Sequence, residues 1–204
     1  MSFQALLPLL LVHWTAMISP GPNVLLVTQT AVSRSRFHAL AAGAGIASGA
    51  FLWCLATLTG LAVLFASFPW MQWGLRIMGG RYLCYLGARL FWNAAQTLVP
   101  MKLENAFSYP RCYAQGLGTT LINPKSAVYF AAILPSFLPH RSSLGSAAFV
   151  LALLSVSSLL WYGLLAVGFS HRSICDFYLR IKKGIDRSCG LLLGGFGITL
   201  LLIR

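Results

Sequence analysis

The chain has 204 residues, of which 58% are hydrophobic and only 9% are charged, and its formal net charge is +12. Soluble domains carry about 25% charged residues, so this composition excludes an ordinary soluble domain. The basic residues do not form a stripe interleaved with aromatic residues, which argues against a nucleic-acid partner. The composition therefore predicts an all-α integral membrane protein.

Apolar stretches of about 20 residues recur along the chain, and each is long enough to cross a bilayer. They predict six transmembrane helices at about 4–30, 39–65, 70–94, 114–137, 145–169 and 186–203. No linker separates them, which indicates a single transmembrane domain over residues 1–204, with halves of about 1–96 and 112–204. The first apolar run lacks a positively charged start and is too long for a signal peptide, so we expect it to be retained.

Basic residues concentrate in alternate loops of this six-helix scheme. By the positive-inside rule, the first, third and fifth loops face the cytoplasm, where they can also contact anionic lipids, and both termini face outward. The nine residues in these loops are Arg34, Arg36, Lys102, Arg111, Arg172, Arg180, Lys182, Lys183 and Arg187, against two on the other side, Arg141 and Arg204.

Two proline-containing breaks interrupt the first and fourth apolar runs, at residues 19–23 and 123–125. Proline removes a backbone donor, and hydrocarbon cannot satisfy the carbonyl groups that it frees. Paired breaks of this kind indicate a transporter substrate site near the midplane, in a 3+3 inverted repeat, although simple structural kinks are the alternative. The candidate substrate-binding residues are Ser19, Pro20, Gly21, Pro22, Asn23, Asn123, Pro124 and Lys125.

A broken helix suits a zwitterionic amino acid, because one half offers free N–H groups to a carboxylate and the other offers free carbonyl groups to an ammonium. Ser19, Asn23 and Asn123 can cap these helix ends. Lys125 lies within the fourth apolar run, where a lysine is costly and normally faces a cavity or a partner. We expect it to contact the substrate carboxylate or the pathway, with snorkelling toward the interface as the alternative.

Two further residues in the spans are candidates for the pathway. Arg81 lies near the middle of the predicted third helix and is expected to meet the substrate carboxylate or a buried acid, unless the helix begins later and Arg81 reaches outward. His13 shares a helical face with Met17 and Pro20 and is a candidate proton relay, with a neutral core histidine as the alternative.

Asp186 is the acidic residue nearest to a predicted span, and we expect it to open the sixth helix. Capping that helix is its favoured role, because a carboxylate is stabilised at a helix N-terminus. Pairing with the Lys182–Lys183 cluster and participation in proton coupling are the alternatives.

Several short segments of the chain, among them the two breaks at residues 19–22 and 123–125, match a known family. They resemble the lysine-exporter superfamily, and within it the homoserine/threonine efflux branch, where they are most similar to threonine efflux proteins. The resemblance covers essentially the whole chain and implies a bacterial inner-membrane exporter of small amino acids such as threonine or homoserine, driven by the proton gradient; in that membrane, the outward side predicted for both termini is the periplasm. Asn23 stands where many members have an acidic residue, and Arg81 where they have a small one. The matching segments are residues 19–22, 29–36, 79, 82–83, 86–87, 123–125, 186 and 195–198.

Other functions fit the sequence less well. Export of a basic amino acid or a metal ion is an alternative, but divalent ions need clustered carboxylates, imidazoles or thiolates, and His13, Cys54 and Cys84 are scattered. A membrane-embedded enzyme would need a clustered nucleophile and base, and no such motif is present. The sequence therefore predicts a transporter without a metal site or cofactor, and it leaves open the particular amino acid and whether the protein is a homo-oligomer.

Overall fold

A computed structural model describes residues 3–61, 68–94, 108–137 and 144–202, and every element within these ranges is helical, as predicted. Short π-helical and 3₁₀ segments extend α3 at Thr57–Leu61 and α6 at Tyr129–Phe137. The helices in chain order are α1 Phe3–Ile18, α2 Pro22–Ser33, α3 Arg36–Ala56, α4 Pro69–Trp92, α5 Tyr109–Ile122, α6 Pro124–Val128, α7 Leu144–Gly168 and α8 Arg172–Leu202.

The predicted helices correspond in order to these elements, but two starting points were wrong. The fourth predicted helix begins at Tyr109 rather than at 114, and the sixth begins at Arg172 rather than at 186. Residues 172–187 include both polar and apolar residues, so their average hydropathy is too low to indicate a membrane helix. They form the amphipathic first half of α8. Five cations assigned to the fifth loop therefore lie on α8. Residues 62–65 and the predicted loop cations Lys102, Arg141 and Arg204 lie outside the described residues.

Within the described ranges, three helices are long and apolar enough to span a membrane: Arg36–Gly60, Leu144–Gly168 and Ser173–Leu202. The bent pair formed by α1 and α2 raises this number to four. Their outward faces are apolar, with Leu164 65% and Leu191 66% exposed, which suits a lipid environment. The protein is thus a multi-pass membrane protein, whereas six crossings and an inverted repeat stay predictions.

Glycines allow two pairs of helices to approach closely. A Cβ atom at Gly45 of α3 would overlap the carbonyl oxygen of Tyr113, and one at Gly116 of α5 would overlap the carbonyl oxygen of Ala42. Between α4 and α8, a Cβ atom at Gly190 would lie 2.7 Å from the carbonyl oxygen of Gly87. Such contacts between backbones are typical of membrane bundles, so these glycines serve packing.

The buried apolar residues form two separate clusters. One is built around Leu9 and Val12 of α1 together with Leu154 of α7. The other is built around Val27 of α2 together with Ile46 of α3. Because α1 packs in the first cluster and α2 in the second, the break between these helices lies between the two apolar clusters.

Candidate functional site

The first break separates α1 from α2, whose axes are bent by 52°. Gly21 precedes α2 in an extended conformation, and Pro22 occupies the first helical position, which proline favours. No side chain caps the start of α2, so the predicted capping by Ser19 or Asn23 was wrong. The first turn of α2 therefore keeps unsatisfied N–H groups and the positive end of its dipole.

The second break separates α5 from α6 and is capped. The Oδ1 atom of Asn123 accepts a hydrogen bond from the backbone N–H of Lys125 at 3.0 Å, as expected for an N-cap. The Nδ2 atom of Asn123 donates to Oδ1 of Asn23 across 3.3 Å, and both side chains are buried. The two breaks, which are 100 residues apart in the chain, are therefore in direct contact.

Lys125 forms a second link between the breaks. Its Nζ atom donates to the backbone oxygen of Ser19 at 2.8 Å and to the Ser19 hydroxyl at 3.3 Å. A Cβ atom at Gly21 would lie 3.0 Å from Nζ, so the ammonium group lies directly against the backbone of the first break. Lys125 thus satisfies a carbonyl group freed by the first break instead of snorkelling to an interface. An ammonium has three N–H donors, so one remains for a ligand.

A cavity of about 500 Å³ lies beside the breaks, and we call it the vestibule. The two broken segments form one wall, and side chains from α4 and α8 form the others. The polar side chains that line it include those of Tyr82, Arg89, Asn123, Lys125, Lys182 and Asp186, and Gly21 contributes backbone to the wall.

Asp186 supplies the acidic group of the vestibule, but it does not open a helix. It lies in the middle of α8 and is 2% exposed, so the favoured capping role was wrong. Its Oδ2 atom accepts a hydrogen bond from Nζ of Lys182, one turn earlier, at 2.5 Å, which is the pairing that the sequence offered as an alternative. Its Oδ1 atom is buried and makes no hydrogen bond to the described residues.

A second, smaller cavity has a volume of about 40 Å³, and we call it the inner cavity. Lys125 lines both cavities and is therefore a wall residue that they share. His13 lines the inner cavity, and its Nδ1 atom is hydrogen-bonded to the Tyr129 hydroxyl at 3.0 Å. The remaining polar side chains around the cavity are Asn23, Thr120, Ser126, Ser158 and Tyr162.

The structure does not bring Arg81 to either cavity. Its side chain is exposed in the middle of α4, and the cavity geometry gives no support to its predicted contact with a substrate. Arg89 lines the vestibule instead, as does Tyr82. The lining positions 82, 86, 89, 90 and 93 lie on one face of the helix, and this spacing can be seen in the sequence. The sequence does not show, however, which neighbouring helix or cavity that face meets.

The chemistry of this site suits a small ligand that carries one negatively and one positively charged group. Lys125 and the uncapped end of α2 offer donors, and Asp186 offers a carboxylate, along one vestibule. Within the described ranges, no three His, Cys, Asp or Glu side chains are grouped as a metal site would require. The fold and site together define a membrane carrier with broken helices around a polar chamber.

Comparison with known proteins assigns this carrier to a family. The chain belongs to the LysE type translocator family, which matches residues 14–204, so it is a transporter and not an enzyme. It is 33% identical to the threonine efflux protein of Salmonella typhi over 202 residues, which cover 95% of this chain and 96% of the relative. The threonine efflux protein of Escherichia coli K12 is 32% identical over 197 residues with the same coverage. The resemblance seen in the sequence is thereby confirmed.

A more distant relative carries another name. The leucine efflux protein of Salmonella choleraesuis is 24% identical over 204 residues, which cover 92% of this chain and 93% of the relative. No solved structure matches the chain.

Proposed function

We propose that this protein exports small neutral amino acids of the threonine and homoserine kind across the bacterial inner membrane, coupled to the proton gradient. The observation that carries the proposal is the meeting of two helix breaks through Lys125 and Asn123 beside a vestibule that also contains Asp186. The similarity to threonine efflux proteins along nearly the whole chain supports the same conclusion.

The carboxylate of the amino acid binds at the first break. Nζ of Lys125 has one N–H donor that Ser19 does not use, and the neighbouring start of α2 has backbone N–H groups without a side-chain cap. An anion at a helix N-terminus is stabilised both by these donors and by the helix dipole. This arrangement recognises the group that every α-amino acid shares.

The ammonium group of the amino acid binds near Asp186, whose Oδ1 atom has no hydrogen-bond partner among the described residues. Among the described residues that line the vestibule there are three cationic side chains, Arg89, Lys125 and Lys182, and one carboxylate, that of Asp186. A substrate with a second positive charge would be repelled by this excess, so the charge balance favours a neutral amino acid over a basic one.

The positive-inside rule predicts which side of the membrane the vestibule faces. The vestibule is lined by the C-terminal half of α4 and the N-terminal half of α8, the ends that the positive-inside rule assigns to the cytoplasm. This conformation is therefore the one that loads substrate from the cytoplasm. Protonation of Asp186 would weaken its hold on the ammonium group, and His13 in the wall of the inner cavity is the second proton-coupling candidate.

Transport into everted membrane vesicles tests this function, because export from the cell then becomes uptake. Vesicles with an inward-acidic proton gradient are offered a panel of radiolabelled amino acids, and vesicles without the protein provide the blank. We expect uptake of threonine or homoserine that a protonophore abolishes, and little uptake of lysine. Folded protein that moves no amino acid under these conditions would refute the proposal, and uptake insensitive to the protonophore would refute its coupling.

A further inference from the structure

Two residues that line the inner cavity each carry a buried polar atom without a hydrogen-bond partner in the described part of the chain. These atoms are Nε2 of His13 and Oγ1 of Thr120, on side chains whose residues are 2% and 1% exposed. The backbone carbonyl of Leu154 lies near the His13 ring, but the geometry between it and Nε2 is not that of a hydrogen bond, and the Ser158 hydroxyl donates to this carbonyl at 2.9 Å. Unpaired buried polar groups are uncommon in proteins, so this pair indicates a missing ligand.

Both side chains are held in place by their other contacts. The His13 ring is fixed through Nδ1 by the hydroxyl of Tyr129, and the two rings are 5.4 Å apart. Thr120 packs its Cβ and methyl group against α3, where a Cβ atom at Gly49 would come within 2.9 Å of them. The Trp53 indole also donates to the Thr120 carbonyl at 3.3 Å. The unpaired atoms therefore belong to a preorganised cavity wall.

We propose that the inner cavity is a subsite for the hydroxyl-bearing side chain of the transported amino acid, bound by Thr120 Oγ1 and His13 Nε2. The inference rests on the proposed function. Lys125 lines both cavities, so the side chain of an amino acid held at Lys125 has the inner cavity beside it. The volume of about 40 Å³ has room for about three water-sized groups, which is the size of a threonine side chain.

A hydroxyl group suits both atoms because it donates and accepts at once. If Nδ1 of His13 donates to Tyr129, Nε2 accepts, and if Nδ1 accepts, Nε2 donates. In the first case the substrate hydroxyl donates to Nε2 and accepts from Thr120, and in the second these roles are reversed. Valine has the shape of threonine but would leave both atoms unpaired. Sites built to bind a hydroxyl reject analogues that lack it much more strongly than apolar pockets distinguish shape.

The test compares threonine with valine, and serine with alanine, in counterflow by purified protein in proteoliposomes. For the unmodified protein we expect threonine to be preferred over valine by roughly 100-fold or more, because valine leaves two buried polar groups unpaired. Thr120→Val should lower threonine transport about tenfold or more and leave valine transport unchanged. Thr120→Ser, which keeps the hydroxyl, should retain the preference. Thr30→Val is the matched control, since Thr30 is equally buried but bonds Leu26 of its own helix at 2.6 Å.

The possible results of this test distinguish failure of the hydroxyl subsite from failure of the proposed export function. Equal transport of threonine and valine by the unmodified protein would overturn the subsite and leave amino-acid export intact. A uniform loss for all four amino acids in Thr120→Val would also overturn it, because the cavity would then hold water rather than a side chain. Transport of no amino acid at all would overturn the proposed function itself. If Thr120→Val does not fold, Thr120→Ala gives the same comparison in a smaller residue.

Discussion

Replacing Lys125 by methionine removes one charged group from the point where the two broken helices meet. The change keeps the unbranched apolar stem and deletes the Nζ atom that donates to Ser19 at 2.8 and 3.3 Å. A hydrogen bond between a charged donor and a substrate carboxylate contributes about 1.5–3 kcal/mol. Its loss corresponds to a fall in substrate affinity of about 10- to 150-fold. We therefore expect Lys125→Met to lower transport by about 5- to 75-fold at substrate concentrations that half-saturate the unmodified protein.

The same substitution should change stability far less than transport. Methionine leaves the Ser19 carbonyl without its lysine donor, which costs about 1–3 kcal/mol when such a group is shut away from water. Against this, a partly buried charge no longer has to be desolvated, and these two effects oppose each other. The vestibule also gives water a route to the break. Thermal unfolding in detergent should therefore shift only modestly.

The assay is threonine counterflow in proteoliposomes, with affinity taken from the concentration dependence. Lys183→Met is the matched control, because Lys183 is one of the exposed lysines of α8 and should keep unmodified affinity. Lys125→Arg retains the charge and should keep part of the activity. Well-folded Lys125→Met protein with an unchanged affinity for threonine would show that Lys125 does not contact the substrate.

Two further substitutions test packing and charge. Gly116→Ala drives a Cβ atom into the Ala42 carbonyl oxygen, and overpacking of this kind should destabilise the protein by about 1–3 kcal/mol or more in thermal unfolding, whereas Gly118→Ala, which faces open space, should be neutral or stabilising. Asp186→Asn removes the carboxylate partner of Lys182 on the wall of the vestibule and should lower stability by about 1.5–3 kcal/mol, the contribution of a hydrogen bond between charged groups. Adding Lys182→Met should recover much of that loss, and a double variant no more stable than the single one would contradict the pairing.

The breaks could be located from the sequence because proline and glycine seldom stand together inside an apolar run unless the helix is interrupted there. Residues 19–23 and 123–125 both interrupt helices in the structure, and α6 begins with the predicted Asn123 cap. The contact between the breaks could not be derived, because it depends on how two helices 100 residues apart pack. Hydropathy shows that a segment enters the membrane, but it does not give the rotation of that segment about its axis.

That missing rotation explains the individual errors. Arg81 and Arg89 lie on the same helix, yet the second lines the vestibule and the first does not, and sequence offers no ground for choosing between them. Asp186 was expected at a helix start because the basic residues before it resemble a loop. They form instead one face of an amphipathic helix, whose other side carries large apolar residues such as Phe177, 61% exposed, and Ile174, 44% exposed.

The two breaks have similar compositions, but they are not chemically equivalent. Asn123 caps the start of α6, whereas the start of α2 has no side-chain cap, so one helix end remains open to an anion. The ammonium group of Lys125 lies beside that open end and is bonded to Ser19. A carboxylate that takes the third N–H donor of Lys125 would draw the ammonium group away from Ser19 and loosen a contact that joins the broken helices. Substrate binding and the contact between the broken helices would then depend on the same ammonium group, as transport requires.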